Sequence, residues 1–417
     1  MFKMRSTVTV MLAMSILLSG FAPHSAMAQD SASDSEHQIH LPVVMGGNAS
    51  AVSLPVGNQP HDVEQADVPV DEMDSVEKMW TSEMLLSAEP MDLLMATDSE
   101  IQAASQATDE MPEGPAGSAP SGAPDPDAEA MAQKLFAADW ALAAEIPVEE
   151  QLVQSASMQS ANLQGFSSRP PFTSYYVNKY TRTWKGYPWR ATGRLFYNVP
   201  GVVDSKGKLI NYTCTASVAT GRAVWTAGHC VHTKGKGWHI NMVFVPGYRN
   251  GAAPYGRFTV YTRTSLRGWT RDANLAYDIA MVAVRDRKDG NEKVRKVSEW
   301  VGWLGFMYNK PVTQLFHSLG YPSNLGNRGR YLIACVGANY NRHAKPGPDP
   351  IGMGCDMGKG ASGGPWIVGY TPFVSGRVNY INGINSYLRT ATPNVMYTPY
   401  FGNSAKALYD WGVTKSK

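Results

Sequence analysis

Residues 360–365 read GASGGP, which sets Ser362 among glycines on a sharp turn. Such a turn exposes the serine hydroxyl and lets backbone N–H groups converge on one point in front of it, as an oxyanion hole requires. A purely structural glycine-rich turn is the alternative interpretation. The same letters fit the nucleophile elbow of α/β-hydrolases, in which the histidine follows the serine along the chain. No histidine follows Ser362, so that fold is excluded and a histidine base must precede the serine.

The candidate base is His229, in the stretch TAGHC at residues 226–230. It follows the apolar run 223–225, and a disulfide at Cys230 would anchor the imidazole at the end of a strand. Four later histidines lack such a context, and we predict that they lie at the surface. They are His232, His239, His317 and His343.

The candidate third member is Asp278, directly before the apolar run 279–284. A carboxylate at the start of a buried strand needs a partner, and an imidazolium would be one. Asp272 is a weaker choice because it lies among polar neighbours such as Arg271. A purely structural cap at Asp278 is the alternative.

The charges of this 417-residue chain are divided by sign. Residues 29–165 hold 25 acidic and two basic residues, a net charge of −23, whereas residues 166–417 hold 10 acidic and 33 basic residues, a net charge of +23. This asymmetry predicts two parts that meet electrostatically. The basic residues are scattered rather than clustered, so we predict no nucleic-acid binding. A hydrophobic fraction of 43% excludes a wholly disordered chain.

The first 28 residues have the form of a secretion signal. Lys3 and Arg5 precede an apolar run at residues 8–18, and AMA at residues 26–28 has the small-x-small form of a signal-peptidase site. The apolar run is shorter than the ~20 residues of a membrane span. We therefore predict a secreted, extracellular protein without a membrane segment.

All four cysteines lie in the basic part, and an exported protein meets an oxidising environment, so two disulfides are predicted. Pairing of neighbours is favoured among the three connectivities because each pair closes a short loop. The pairs would be Cys214 with Cys230 and Cys335 with Cys355. A zinc site from Cys214, Cys230, His229 and His232 is the competing interpretation, although no ligand pair has finger-type spacing.

The acidic segment, residues 29–165, is interpreted as a propeptide that is mostly helical or disordered. A disordered tether to a cell surface is the alternative. Pro, Gly and Ser at residues 113–127 predict a linker. A helix capped by Asp127 is predicted where apolar residues recur at helical spacing, at Met131, Leu135, Ala138 and Leu142.

Residues 166–417 predict an all-β domain. Apolar and aromatic runs alternate with Gly, Asn and Pro turns, at residues 194–197, 223–226, 242–245 and 279–284. This spacing is typical of a barrel or a sandwich. Only the end of the chain, residues 404–411, predicts a helix.

The chain order of His229, Asp278 and Ser362, with the motifs around them, resembles the chymotrypsin-like serine protease superfamily over about residues 190–411. The resemblance implies a double β-barrel, a C-terminal helix that closes the second barrel, and a catalytic triad of these three residues. The separation of Cys214 and Cys230 also suits the histidine-loop disulfide of that family. It implies neither a metal nor an organic cofactor.

Further site residues follow from the same resemblance. It implies that Gly360 and Ser362 donate the oxyanion-hole N–H groups and that Ser386 supports the catalytic aspartate. The letters CDM at residues 355–357 and the acidic propeptide are most similar to secreted microbial proteases related to the glutamyl endopeptidases.

The predicted substrate pocket holds Asp356, Asn385 and Ser386. Trypsin-like enzymes carry, at the position of Asp356, the aspartate that receives lysine or arginine, and a buried carboxylate binds a cation strongly. Glutamyl-endopeptidase relatives also carry Cys-Asp there, so a structural role is the equal alternative. Those relatives have a pocket histidine where this chain has Asn385, and Met357 narrows the pocket. The prediction leans toward a basic residue on the acyl side of the cleaved bond (P1).

Together these features predict a secreted, monomeric serine endopeptidase that hydrolyses protein or peptide substrates through an acyl-enzyme. A catalytically inactive, protease-like binding module is the alternative, and a missing triad member or a broken glycine turn would indicate it; none is missing. Animal-type zymogens pair a new N-terminal ammonium with an aspartate where this chain has Ala361. Latency is therefore expected to rest on the chain's own propeptide, as an intramolecular inhibitor or a folding aid.

Overall fold

A computed structural model describes residues 62–96, 114–145, 163–177, 182–343 and 347–417. The predicted signal peptide lies outside these residues. Within them, no helix is both long enough and apolar enough to cross a membrane.

The described part of the acidic segment consists of short helices and short strands that pack on the basic part. Its elements are β1 (Val63–Asp67), α1 (Val70–Met79), α2 (Ser82–Ser87), β2 (Glu89–Pro90), β3 (Leu94–Ala96), β4 (Gly117–Ala119), α3 (Ala128–Leu135) and α4 (Ala137–Ala144). Each of the four strands pairs with a strand of the basic part. A hairpin follows, formed by β5 (Leu163–Ser168) and β6 (Pro171–Tyr176). The predicted boundary at residue 165 lies within β5.

Six strands close the first barrel, in the order β13-β12-β7-β8-β9-β14, because β14 pairs back onto β13. The elements of this part are β7 (Thr192–Val203), β8 (Leu209–Thr220), β9 (Ala223–Thr226), β10 (His232–Thr233), β11 (Gly237–Trp238), β12 (Ile240–Pro246), β13 (Phe258–Leu266), α5 (Arg267–Thr270) and β14 (Ala280–Val284). Single 3₁₀ turns at Arg182–Lys185, Trp189–Ala191, Gly228–Cys230 and Leu275–Tyr277 complete it.

The remaining elements form the second barrel and the end of the chain. They are β15 (Arg287–Lys288), β16 (Val294–Arg295), α6 (Val297–Val301), β17 (Gly305–Tyr308), β18 (Leu315–Gly320), the helical turn α7 (Gly326–Gly329), β19 (Ile333–Arg342), β20 (Ile351–Gly354), β21 (Pro365–Val368), β22 (Tyr380–Ile384), β23 (Tyr387–Arg389), β24 (Thr392–Thr398) and α8 (Asn403–Lys415). Only Asn385 and Ser386 separate β22 from β23. If β22 and β23 are counted as one strand, the second barrel closes in the order β18-β19-β20-β24-β23/β22-β21, because β21 pairs back onto β18.

Both the all-β class and the C-terminal helix are confirmed. Helix α8 extends beyond the predicted residues 404–411. It packs mainly on the first barrel, whereas the family resemblance implied that it closes the second. Gly412 lies so close to Met281 of the first barrel that a Cβ would stand 2.7 Å from the methionine Cε. This cover explains why all five residues of β14 are buried.

The predicted helix of the acidic segment is broken in two. Phe136 leaves the helical conformation (φ −117°, ψ 39°), so α3 and α4 turn different faces to the protein. The buried residues of these two helices are Ala128, Ala132, Trp140 and Ala143, whereas Leu135 is 40% exposed. Asp127 stands at the helix start but makes no capping hydrogen bond, because its carboxylate binds Arg295.

Two other expectations differ from the structure. Part of the predicted linker 113–127 forms β4, which pairs with β17, so its described residues are docked. The prediction of surface histidines is wrong for His239 and His343, which are fully buried. Neither sits in a sequence pattern that distinguishes a buried histidine from an exposed one.

Candidate active site

Two paired strands bring His229 and Asp278 together. The end of β9 lies opposite the start of β14, with Thr226 paired to Ala280. His229 comes three residues after Thr226, and Asp278 two residues before Ala280. Nδ1 of His229 lies 2.8 Å from Oδ2 of Asp278, and the backbone N–H of His229 donates to Oδ1 at 2.7 Å.

A third hydrogen bond completes the surroundings of this carboxylate. The hydroxyl of Ser386 donates to Oδ2 of Asp278 at 2.5 Å. Asp278 is fully buried, and a buried carboxylate is tolerated only when its oxygens are hydrogen-bonded. These bonds hold Nδ1 of His229 on the aspartate and leave Nε2 for other chemistry.

Ser362 lies on the predicted turn, directly before β21. Its carbonyl accepts the N–H of Thr215 in the first barrel at 2.8 Å, which ties the turn to β8. Gly363 has φ +81°, and a Cβ there would lie 2.3 Å from Oγ1 of Thr226. The turn therefore requires glycine at this position.

The two atoms that would exchange a proton are both buried. They are Oγ of Ser362 and Nε2 of His229, and neither has a hydrogen-bond partner among the described residues. Sγ of Cys230, next to the histidine, is 3.9 Å from the carbonyl oxygen of Ser362. Ser362 is 0% exposed and His229 4% exposed.

The predicted oxyanion donor Gly360 is engaged by the acidic segment. Its N–H donates to the carbonyl of Met91 at 3.0 Å, and its φ is +87°. On the same side, Lys359 pairs with Asp92 at 2.5 Å. The N–H of Gly360, which the sequence predicts as an oxyanion donor, is thus bound to a peptide carbonyl of the acidic segment.

Of the predicted pocket residues, Asp356 faces the hairpin β5–β6. Its Oδ2 accepts a hydrogen bond from Oγ of Ser174 at 3.0 Å, and a Cβ on Gly165 would lie only 2.2 Å from the same oxygen. Burial raises the pKa of Asp356, although the bond from Ser174 opposes this. A pocket role for Asp356 stays a prediction.

Asn385 uses its whole hydrogen-bonding capacity inside the protein. Its carbonyl oxygen accepts from Oγ of Ser318 at 2.7 Å and from Nε1 of Trp366 at 2.8 Å. Its amide donates to the carbonyls of Leu319 at 3.2 Å and Ala361 at 3.1 Å. An asparagine amide offers two donors and an acceptor oxygen with two lone pairs, so none remains for a substrate.

Both predicted disulfides are present, Cys214–Cys230 and Cys335–Cys355. The first fixes the turn that carries His229 to β8. Because it uses both sulfurs, no thiolate remains for the alternative zinc site.

Sequence reasoning did not identify the stretch 89–96 as part of this site. No motif marks it. Its apolar pair Leu93-Leu94 within an acidic segment is the one signal that could have drawn attention.

A family model described as Trypsin matches residues 194–408, more than half of the chain. The chain belongs to the trypsin family. The matched part of this trypsin-family chain includes His229, Asp278 and Ser362.

Individual relatives share less. An extracellular metalloprotease of Bacillus subtilis (strain 168) is 29% identical over 120 residues, which cover 29% of this chain and 34% of that protein. The chain thus spans about a third of the length of that curated relative. The crystal structure of the protease Anisep from Arthrobacter nicotinovorans is 29% identical, with a TM-score of 0.46 over 54% of this chain and 97% of that one. A Glu endopeptidase structure is 13% identical, with a TM-score of 0.45 over 58% and 97%.

Two clusters of side chains of the types that bind metal ions occur in the described residues. In the described residues, groups of three ligand-type side chains occur at Cys214, His229 and Cys230, and at Cys335, Cys355 and Asp356. Each group contains a disulfide, and a cysteine must be a free thiolate to bind a metal ion. One side chain is left in each group, so these residues do not fit a metal ion.

Proposed function

We propose that this chain is the precursor of a secreted serine endopeptidase. Residues 1–28 are the signal peptide, residues 29–165 the propeptide and residues 166–417 the protease domain. The observation that carries the proposal is the buried contact between His229 and Asp278 beside a glycine turn whose Ser362 hydroxyl is unpaired. The two disulfides support export to an oxidising compartment.

In the proposed reaction, Nε2 of His229 takes the proton of the Ser362 hydroxyl while Oγ attacks the carbonyl carbon of a peptide bond. The N–H groups of Gly360 and Ser362 stabilise the oxyanion that forms. Asp278 stabilises the imidazolium, which then gives its proton to the departing amine as the C–N bond breaks.

The product of this first half is an ester between Ser362 and the acyl part of the substrate. His229 next takes a proton from water, and the resulting hydroxide attacks the ester carbonyl. The same proton returns to Oγ of Ser362 as the C–O bond breaks, which releases the carboxylic acid and restores the enzyme.

We further propose that the acidic segment keeps this site latent. Burial of Ser362 and His229 supports this, because a protein substrate cannot reach a nucleophile that has no exposed surface. Proteolytic removal of the segment would open the site. A folding aid is a second role that the same packing permits.

Labelling of Ser362 by a phosphonofluoridate tests the proposal, since only an activated serine reacts. We expect the full chain, once its propeptide has been removed, to be labelled at Ser362. The Ser362→Ala variant should fold, stay unlabelled and lose turnover by about 10⁶-fold. Ser205→Ala, which changes an exposed serine in a turn, is the matched control.

Two results would contradict the proposal. More than a few percent of peptidase activity in Ser362→Ala would end the triad hypothesis. Failure of the processed wild-type protein to be labelled would indicate the inactive binding module instead.

A further inference from the structure

The first strand of the acidic segment covers one edge of a barrel strand. β1 pairs antiparallel with β13 over five residues, from Val63 opposite Leu266 to Asp67 opposite Thr262. On its other edge, this part of β13 pairs with β14. β1 ends the sheet in the described residues, so its removal would leave the backbone groups of β13 that face it without strand partners.

Three side chains of the basic domain bind one carboxylate of β1. Oε1 of Glu64 accepts from Nε of Arg267 at 3.1 Å and from Nε of Arg271 at 2.9 Å. Its Oε2 accepts from the hydroxyl of Thr270 at 2.6 Å. All three donors lie in α5 or directly after it. Because both oxygens are bound and two of the donors are guanidinium groups, this site selects a carboxylate.

Further hydrogen bonds fix β1 as an extended chain. The hydroxyl of Thr264 donates to the backbone carbonyl of Glu64 at 2.9 Å, and Nε1 of Trp411 donates to the side-chain oxygen of Gln65 at 2.8 Å. Pairing along a strand edge requires a partner with backbone amides and carbonyls in an extended conformation. A nucleic acid has no such backbone, so this surface fits a peptide.

Helix α5 connects this edge to the catalytic centre. The ring centroid of Trp269, within α5, lies 6.2 Å from that of His229. A Cβ on Gly228 would stand 2.6 Å from Cδ1 of the same tryptophan. The helical turn that binds Glu64 therefore also packs against the turn that carries the candidate base. A chain docked on β13 keeps its remaining residues near the catalytic centre.

We infer that the mature enzyme binds extended, acidic segments of its protein substrates along this edge. We call the surface formed by residues 262–271 the β13 edge site. In the latent chain β1 occupies it, and Glu64 marks the position of the carboxylate that a substrate would supply. The inference rests on the proposed function, because the site opens when residues 29–165 are removed, and it names a class of substrate for that enzyme.

A peptide with the sequence of residues 62–69 tests the site directly, by its binding to the processed Ser362→Ala protein. We expect saturable binding. Glu64→Gln in the peptide should weaken it at least ~10-fold, because hydrogen bonds to a charged group are the stronger ones. Asp67→Asn removes the same charge from a residue that meets Arg263 through its backbone carbonyl, and it should bind within about twofold of the parent peptide.

A fluorogenic substrate joined to residues 62–69 by a flexible linker tests the effect on hydrolysis by the processed wild-type enzyme. The added segment should lower KM at least ~10-fold and leave kcat unchanged, because docking raises the local substrate concentration without touching the reacting atoms. Arg271→Gln should remove most of this gain. Arg285→Gln loses an equal charge at an arginine that pairs with Asp74 of α1, and it should keep the gain.

Three results would overturn the inference: no binding of the parent peptide, equal binding of the parent and Glu64→Gln peptides, or a gain in KM that survives Arg271→Gln. The binding measurement uses a protein without the nucleophile, so its failure leaves the proposed function intact. Absence of labelling and of hydrolysis in the processed wild-type chain would instead reject the proposed function, and with it the substrate role of the β13 edge site.

Discussion

At the scale of single residues, Asn385 has a structural role that differs from the substrate-pocket role its position in the sequence suggested. It lies between β22 and β23 and joins them to the carbonyl of Ala361, in the turn that carries Ser362. Through Ser318 and Trp366 it also reaches β18 and β21. A side chain that satisfies four buried groups is a framework residue, and its removal affects the whole second barrel.

Replacement of Asn385 should therefore destabilise the protein. A buried polar group left without its partner costs about 1–3 kcal/mol, so we expect Asn385→Ala to lower the free energy of unfolding by about 3 kcal/mol. Denaturant unfolding of the full chain in a Ser362→Ala background measures this without self-digestion. Asn291→Ala, at an exposed asparagine, should stay within about 0.5 kcal/mol of its parent. Equal stability of the two variants would contradict the framework role.

His239 is a second buried residue with a measurable consequence. Its Nδ1 lies 3.0 Å from the carbonyl of Cys230 and its Nε2 2.8 Å from Oγ1 of Thr233, while its ring stacks on Tyr197 at 4.6 Å. A carbonyl can only accept, so Nδ1 carries a proton. Burial lowers the pKa of His239 to about 3, although the bond to Cys230 opposes the shift.

The pKa of His239 predicts a loss of stability in acid. The unfolded chain binds a proton below pH ~6.5, whereas the folded chain does not until about pH 3, so stability falls as the pH drops through this window. One such proton contributes a slope of about 1.4 kcal/mol per pH unit. His239→Asn keeps an amide donor toward Cys230, and between pH 6 and pH 4 its unfolding free energy should fall less steeply than that of wild type by about this slope. Parallel curves would contradict the assignment.

At the scale of elements, the turn that carries Ser362 is held by the two barrels and not by a chain terminus. The carbonyl of Ala361 accepts from the N–H of Gly364 at 3.0 Å and from Asn385, and the N–H of Gly363 donates to the carbonyl of Asn385 at 2.7 Å. These bonds are present while Met91 of the acidic segment is still bound to Gly360. Activation therefore has no need to build the turn.

This arrangement predicts tolerance at the mature N-terminus. One or two residues added before it should leave kcat/KM within about twofold, because Ala361 offers no carboxylate to a terminal ammonium. Loss of a supporting ion pair worth about 1.4 kcal/mol of transition-state stabilisation would instead lower kcat/KM about tenfold. Gly363→Ala is the contrasting variant, since its Cβ would enter the van der Waals space of Thr226, and it should lose activity. Collapse of activity on N-terminal extension would show that the terminus is buried and supports the turn.

At the scale of the whole molecule, the acidic segment docks through both charge and apolar contact. Ion pairs join it to the basic domain at Glu64–Arg267, Asp74–Arg285, Glu77–Arg287, Asp127–Arg295 and Asp139–Arg257. The bond from Arg295 lowers the pKa of Asp127. Between these pairs, Trp80, Leu85 and Trp140 are buried in the large apolar cluster that the acidic segment shares with the basic domain. Neither kind of contact alone accounts for the docking.

Salt should therefore weaken inhibition without abolishing it. A separately made fragment of residues 29–165 should inhibit the processed enzyme, and its Ki should rise with salt as the Debye length falls from ~10 Å at 0.1 M to ~3 Å at 1 M. Trp140→Ala in the fragment should raise Ki at every salt concentration, whereas Leu135→Ala, at an exposed leucine, should not. Inhibition that does not respond to salt would mean that the apolar contacts suffice.

Much of this molecule could be predicted from local sequence. The strand runs, the disulfide pairs and the neighbourhoods of His229, Asp278 and Ser362 depend on residues that are close in the chain or on spacing that suits few folds. Turn geometry and strand ends then bring His229 and Asp278 together, because the end of β9 pairs with the start of β14.

Only the tertiary structure decided which groups meet across long separations. Met91 contacts Gly360 across 269 residues of chain, and the direction of the Asp356 carboxylate depends on the hairpin β5–β6. Leu93, Asn385 and His239 carry no local pattern that states their burial. Their environments result from packing between distant segments, and packing is set by the shape and polarity of the assembled surfaces, which no window of neighbouring residues contains.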